Sequence, residues 1–257
     1  MTHRRRGKAL LTDVLPPLVP LVLVCALAEL LVPARGYTLL TTPSAVARVI
    51  ARDRDLWPAL AQTAIGSFAG FGLSALIGIC FAVALSSARW VQRMFYPYAV
   101  LFQTIPIIAI APMLIIWVGF GMPTVIASAC IVSVFPVIAN AVSGLLSTDP
   151  ALLDLFRLYG AGRGTTLLRL RLPFALPSIL TGLRIAAGLS VIGAIVGEFI
   201  TGGGVGSIVD AARSQQRVDR AIAALILASG LGIGLFGLVN LLSRLTLRNW
   251  HASEKLE

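Results

Sequence analysis

Long apolar runs separated by short polar segments dominate this chain, and none of them alternates apolar and polar residues at the period of two that a half-buried strand needs. Six of the runs are about as long as a helix that crosses a bilayer, which takes roughly 20 residues. They cover Leu15–Val32, Ala59–Leu85, Tyr96–Gly119, Thr124–Leu145, Pro177–Phe199 and Ile222–Leu242. Within lipid every backbone N–H and C=O must be paired inside its own segment, so these runs are predicted to be helices. The pattern therefore predicts an all-α, polytopic membrane protein with six transmembrane helices, built as a single transmembrane domain over residues 1–257.

Composition strengthens that reading. Of 257 residues, 57% are hydrophobic and 12% charged, with a mean hydropathy of +0.90. A soluble domain has about a quarter of its residues charged. The net charge of +10 sits mainly in short segments flanking the apolar runs. A nucleic-acid binder gathers such charge on one soluble face, so that class is set aside in favour of topology and membrane lipid. With the N-terminus inside, the inside segments carry Arg4, Arg5, Arg6, Lys8, Arg89, Arg93, Arg157, Arg163, Arg169, Arg171, Arg184, Arg244, Arg248 and Lys255. The outside segments carry Arg35, Arg48, Arg52, Arg54, Arg213, Arg217 and Arg220. Fourteen against seven obeys the positive-inside rule and predicts both termini in the cytoplasm. The first run follows a basic start, but Pro16, Pro17, Pro20 and Glu29 interrupt it and no small-x-small site follows. It reads as a retained helix rather than a cleaved signal. Cys25, Cys80 and Cys130 are dispersed through predicted spans and form neither a disulfide framework nor a zinc site.

Three connections are more than turns. Between Pro33 and Trp57, the stretch Ser44–Ala51 after Pro43 reads as a short amphipathic interfacial helix. A second outside segment, Thr201 to Asp219, opens with Gly202-Gly203-Gly204. The third connection is the long inside loop over residues 147–176. Small residues also recur every four positions in the second span (Gly66, Gly70, Ser74, Gly78) and in the last (Gly230, Gly234). Such rows let a neighbouring backbone approach closely, and packing within the chain is the expected use of both.

The inside loop carries the most information. Thr148 or Asp149 can cap a helix whose first turn holds Pro150. Leu152, Leu155, Phe156 and Tyr159 recur at helical spacing, and Gly160-Ala161-Gly162 stops the helix. A second short helix, Thr165 to Leu170, follows, and Pro173 and Pro177 punctuate the approach to the fifth span. Phe156, Leu158 and Tyr159 are apolar groups among arginines at an aqueous interface. They suit either a docking surface for a soluble partner or a loop folded back onto the membrane.

The stretch Asp154-Leu155-Phe156-Arg157-Leu158-Tyr159-Gly160, nine residues, then Leu170-Arg171-Leu172-Pro173 resembles the cytoplasmic loop signature of binding-protein-dependent ABC transporter permeases. That signature runs Glu-Ala-Ala, three residues, Gly, nine residues, Ile, any residue, Leu-Pro. The spacing is kept, while Asp154, Leu155 and Phe156 depart from the opening triplet. Thr42-Pro43-Ser44, Pro106 to Trp117, Gly182-Leu183-Arg184 and Gly197-Glu198 are similar to the nitrate, sulfonate and taurine branch, which also serves thiamin precursors and riboflavin. The resemblance implies the fold of a type I importer permease in a bacterial plasma (inner) membrane. It implies a homodimer of permeases with two cytoplasmic ATPase subunits and one extracytoplasmic solute-binding protein. The loop would be a coupling helix, with Phe156, Leu158 and Tyr159 filling a groove on the ATPase. Gly160 would allow the turn, Pro173 would fix the re-entry angle, and Asp154, Leu155, Arg157 and Ala161 would complete the motif. No Gly-rich phosphate loop of the Walker type is present, so the chain is expected to be non-catalytic and to need no cofactor. ATP and Mg would belong to the ATPase partner.

Polar groups inside spans are costly and therefore mark candidates for the translocation pathway. Glu198 is either a gate or solute contact, or a structural hydrogen-bonding group for the Gly-rich loop. Gln103 and Thr104 sit just ahead of Pro106, where proline frees backbone carbonyls. Ser133, Asn140 and Ser190 either line the same pathway or satisfy proline-broken backbone. Arg184 is expected to meet headgroups or loop carbonyls, and Glu29 stands as a lone carboxylate in the first span. The competing class is a secondary transporter driven by an ion gradient, which usually carries internal repeats and paired intramembrane carboxylates. Neither is evident. An enzyme is disfavoured because His3 and His251 are terminal and no catalytic grouping occurs in the spans.

Overall fold

The computed structural model describes residues 19–20, 22–31, 41–87 and 89–247, with side chains there except at 89, 95, 99, 100, 102 and 103. Part of the first predicted span, the basic start Arg4 to Lys8, and His3, Arg35, Arg248, His251 and Lys255 lie outside the described residues. Among the described residues the protein is almost wholly helical and has no strand. The helices are α1 (Val22–Leu31), α2 (Pro43–Arg52), α3 (Leu56–Ser86), α4 (Arg89–Thr104), α5 (Ile107–Val118) and α6 (Met122–Leu146), then α7 (Pro150–Leu158), α8 (Arg163–Thr166), α9 (Leu172–Thr201), α10 (Gly204–Ser214) and α11 (Val218–Leu247). Among the described residues, four helical runs are long and apolar enough to cross a membrane: Leu56–Ser86, Met122–Leu146, Arg163–Thr201 and Val218–Leu247. These contain the second, fourth, fifth and sixth predicted spans.

The third predicted span is not one helix. Pro106 has no N–H to give and disfavours helical backbone at Ile105, so the run divides into α4 and α5. The fifth differs in the opposite sense, beginning well before its predicted start at Pro177. Arg163–Thr201 is one helical run in which Leu167–Arg171 takes the wider π form. Pro173 cannot donate to the carbonyl four residues back, and Leu172 N–H instead bonds Leu167 O, five back. Pro173 and Pro177 thus lie inside a continuous helix rather than ahead of it.

The chain divides into two compact units. The first draws on Met1–Leu56 and Ile208–Ile226. In it, α2 is capped twice: Thr42 Oγ1 accepts from Ala45 N at 3.3 Å, and Glu29 accepts from Ser44 N at 3.1 Å and Ser44 Oγ at 2.7 Å. Glu29 is therefore not a lone carboxylate. It satisfies an otherwise orphaned N–H of α2 and lies at the positive end of that helix. Arg220 bonds Asp53 at 2.7 Å and Asp55 at 3.1 Å, joining the residues after α2 to the first turns of α11.

The second unit draws on Trp57–Ser207 and Leu227–Glu257. Its spine is the pair α6 and α9. A Cβ on Gly193 would come within 2.7 Å of Ala129 Cα, and one on Gly182 within 2.8 Å of Pro136 O, so these glycines are what allow the two backbones to meet. The row on α3 packs on α6 as expected, with a Cβ on Gly70 meeting Ile126 O at 2.9 Å. The row on α11 does not. A Cβ on Gly230 or Gly234 meets nothing within 4 Å among the described residues. Ala82, Leu85, Ile138, Val142, Leu145, Ala175 and Ile179 form an apolar cluster where α3, α6 and α9 meet, at the end nearest α7.

Candidate functional site

The loop after α6 folds as a capped single helix. Asp149, not Thr148, is the N-cap, its carboxylate accepting from Ala151 N at 2.9 Å with Pro150 in the first turn. At the other end Gly160 N–H bonds Arg157 O and Ala161 N–H bonds Phe156 O, both at 2.9 Å. This crossed pair is a Schellman stop, and it needs a left-handed residue in the position that Gly160 fills with φ +67°. A Cβ there would touch nothing within 4 Å, so conformation alone asks for glycine.

No residue of α7 is buried. Leu158 is 84% exposed and Tyr159 81%, while Phe156 and Ala161 are half-buried and Leu155 exposed. Asp154 and Arg157 form an exposed ion pair at 2.9 Å. The structure thus brings Asp154 to Ala161 together on one short, protruding unit, with Pro173 at the start of α9, half-buried. Beside the unit lies a cavity of about 440 Å³ lined in part by Ser86, Gln92, Thr148, Asp154, Arg157 and Arg171.

At the far end of α9, three consecutive N–H groups of α10 find side-chain acceptors. Gly204 N bonds Gln62 Oε1 at 2.9 Å, Val205 N bonds Thr63 Oγ1 at 2.9 Å, and Gly206 N bonds Glu198 Oε2 at 3.0 Å. Thr63 Oγ1 also lies 2.9 Å from Glu198 Oε2. Glu198 is 2% exposed, and a Cβ on Gly204 would run into its carboxylate. The triplet Gly202-Gly203-Gly204 takes positive φ throughout, which lets the chain reverse tightly enough for α10 to present its N-terminus to Glu198. Glu198 also borders a cavity of about 370 Å³ with Gln62, Phe120, Met122 and the glycines. The Gln62 and Thr63 partners are not legible in the sequence, since only the fold brings residues 142 positions apart into one cap.

Those of the other pathway candidates with described hydrogen bonds make them within their own helices. Ser133 and Ser190 are buried and bond back to their own helices, at Ala129 O and Ala187 O. Asn140 Nδ2 bonds Pro136 O at 2.9 Å, and Thr104 Oγ1 bonds Leu101 O at 2.8 Å. Pro106 begins α5, and the side chain of Gln103 lies outside the described part of the structure. A recess of about 300 Å³ beside the α4–α5 break is lined by Ile105, Ile107, Ile131, Val132, Phe135, Pro136 and Leu189. Arg184 meets no loop carbonyl among the described residues: one Nη donates to the Ser243 hydroxyl of α11, and its buried Nε has no partner there.

Residues 74–248 match the family described as the binding-protein-dependent transport system inner membrane component. A formylaminopyrimidine transport permease protein of Halalkalibacterium halodurans is 36% identical over 188 residues, 73% of this chain and 70% of that protein. A probable ABC transporter permease protein of Haemophilus influenzae is 34% identical over 197 residues, 76% and 80% of the two chains. The fold is similar to that in an inward-facing structure of the MetNI methionine ABC transporter, with a TM-score of 0.62 and 21% identity over 74% of this chain and 94% of that one.

Proposed function

The chain belongs to the family of inner membrane components of binding-protein-dependent transport systems, and from that premise we propose that it forms the pathway of an ATP-driven importer for a small solute. It is a non-catalytic, multi-pass membrane permease subunit. In this reading α7 is the coupling helix and docks on a cytoplasmic ATPase. The observation that carries it is the exposed pair Leu158 and Tyr159 at the tip of a helix that buries none of its residues. Apolar side chains held out by a rigid capped unit gain stability only when a second surface covers them. Asp154, Leu155, Phe156, Arg157 and Ala161 surround that tip, and Gly160 and Pro173 set its angle. Both termini then face the cytoplasm, and the Glu198 end of α9 faces the solute-binding protein. Two copies of this chain complete the pore.

A heterocycle is the solute class we favour. The recess beside the Pro106 break holds an aromatic side chain and no charged one, and a relative 36% identical is named for a formylaminopyrimidine. Gln103 and Thr104 flank that break, so the pathway is proposed to pass there. Glu198, Ser133, Asn140 and Ser190 support it from behind, since their described bonds are to backbone groups and to Thr63. Purifying the tagged protein from its native membrane and identifying what accompanies it by mass spectrometry tests the reading. A stoichiometric ATPase subunit is the expected result. The protein recovered alone, under conditions that keep other importers whole, would overturn it.

A further inference from the structure

Arg171 occupies the position that the loop motif leaves to any residue, yet it makes a connection across the fold. Its Nη1 donates to Ser86 O, the last residue of α3, at 3.3 Å and across 85 positions of sequence. It closes the π turn Leu167–Arg171, which runs without a break into α9. One guanidinium therefore ties the base of the loop to the C-terminus of α3, where the final carbonyls lack helical partners and the dipole favours a cation. The apolar cluster beneath it, including Leu85, Ala175 and Ile179, holds the same helices together, but apolar contact is non-directional and lets helices slide. A hydrogen bond fixes register.

Two more features point to a moving joint rather than a static brace. A π turn inside an α-helix is rare and is found most often at functional sites. Next to Arg171 lies the cavity of about 440 Å³ bordered by Ser86, Ser87, Gln92 and Thr148, and its Nε is buried without a partner. The same cavity is bordered by Asp154 and Arg157 of α7, so the guanidinium shares one recess with that helix.

We propose that Arg171 is the positioning residue that makes α3 follow the coupling helix, so that movement of α7 reaches α3 and α9 together. The inference rests on the importer reading above. The test reconstitutes the permease with its ATPase and binding protein in liposomes and reads a labelled formylaminopyrimidine delivered per ATP hydrolysed. That ratio is expected to fall roughly tenfold or more in Arg171→Met, the scale of one lost hydrogen bond to a charged group. Arg171→Lys, which keeps the charge without the fork, is expected to restore part of it. A merely structural defect lowers uptake and hydrolysis together and leaves the ratio in place, and that result would overturn the proposal. If Arg171→Met fails to assemble, Arg171→Lys decides alone, and a wild-type ratio in it counts against the proposal. No ATP-dependent uptake of that pyrimidine by the wild-type complex would sink the heterocycle-importer reading itself, an outcome distinct from failure of Arg171 alone.

Discussion

The two ends of α9 carry the sequence features that stand out most, and the structure treats them in opposite ways. At the C-terminal end, Glu198, Gln62 and Thr63 meet three N–H groups of α10, and the carboxylate is 2% exposed. Ahead of the N-terminal end, α7 buries nothing and holds Leu158 and Tyr159 in the open. A polar group in an apolar setting must find partners within the chain, because unmet bonds cost a few kcal/mol each. An apolar group at an aqueous surface is under no such compulsion and can wait for another protein. The cap at one end is complete within the chain; at the other end the apolar tip is left uncovered.

The sharpest way to break that contrast is at the complete end. Gly204→Ala places a methyl group against the Glu198 carboxylate and forces a left-handed backbone on an L side chain. The backbone penalty is about 1–2 kcal/mol, and displacing a buried hydrogen-bonded group adds about 1–3 kcal/mol. The thermal midpoint in detergent should therefore drop further than for any single change on α7. A wild-type midpoint would mean that the Glu198 cap does not hold the first turn of α10 in place.

At the open end the same kind of measurement should show little. Replacing both Leu158 and Tyr159 by alanine is expected to leave the stability of the isolated permease within about 0.5 kcal/mol, as for other exposed sites. Binding of the ATPase should weaken by about 2–3 kcal/mol if the pair is the centre of the contact, read as a shift in the concentration needed for co-purification. Loss of stability with binding unchanged would reverse the assignment of the two ends.

Gly160→Ala is intermediate. It meets no neighbour, so its cost is the left-handed conformation alone, about 1–2 kcal/mol, and Gly160→Asn should cost less because asparagine tolerates that region. Equal midpoints for the two variants would argue against the Schellman stop at the end of α7.

What can be read from sequence follows the same division. Spans are legible where apolar length alone decides, as in α3, α6 and α11. Apolar length misleads where proline acts, and in opposite directions. Pro106 breaks one run into α4 and α5, whereas Pro173 is absorbed by a π turn that carries the helix back to Arg163. The helix of the loop is legible because its signals are local: Asp149, Pro150 and Gly160 lie within a dozen residues. The partners of Glu29 and Glu198 are not. Ser44 is 15 positions from Glu29 and Thr63 is 135 from Glu198, so only the packed chain reveals that both carboxylates serve helix N-termini.

Asp154 offers the finest test, because it opens the triplet in which the loop departs from the family signature. Its carboxylate pairs with Arg157 three residues on, and both side chains are mostly exposed, at 71% and 75%. Such pairs contribute about 0.2–1 kcal/mol at most, and salt weakens them further. Asp154→Ala should therefore change the thermal midpoint very little, and the difference should vanish in high salt. If ATPase binding is equally unmoved, the apolar tip and not the opening acid carries the contact, and the altered triplet is a neutral departure. A marked loss of binding at constant stability would instead place Asp154 in the docked surface, where Arg157 competes with the partner's cations for its carboxylate.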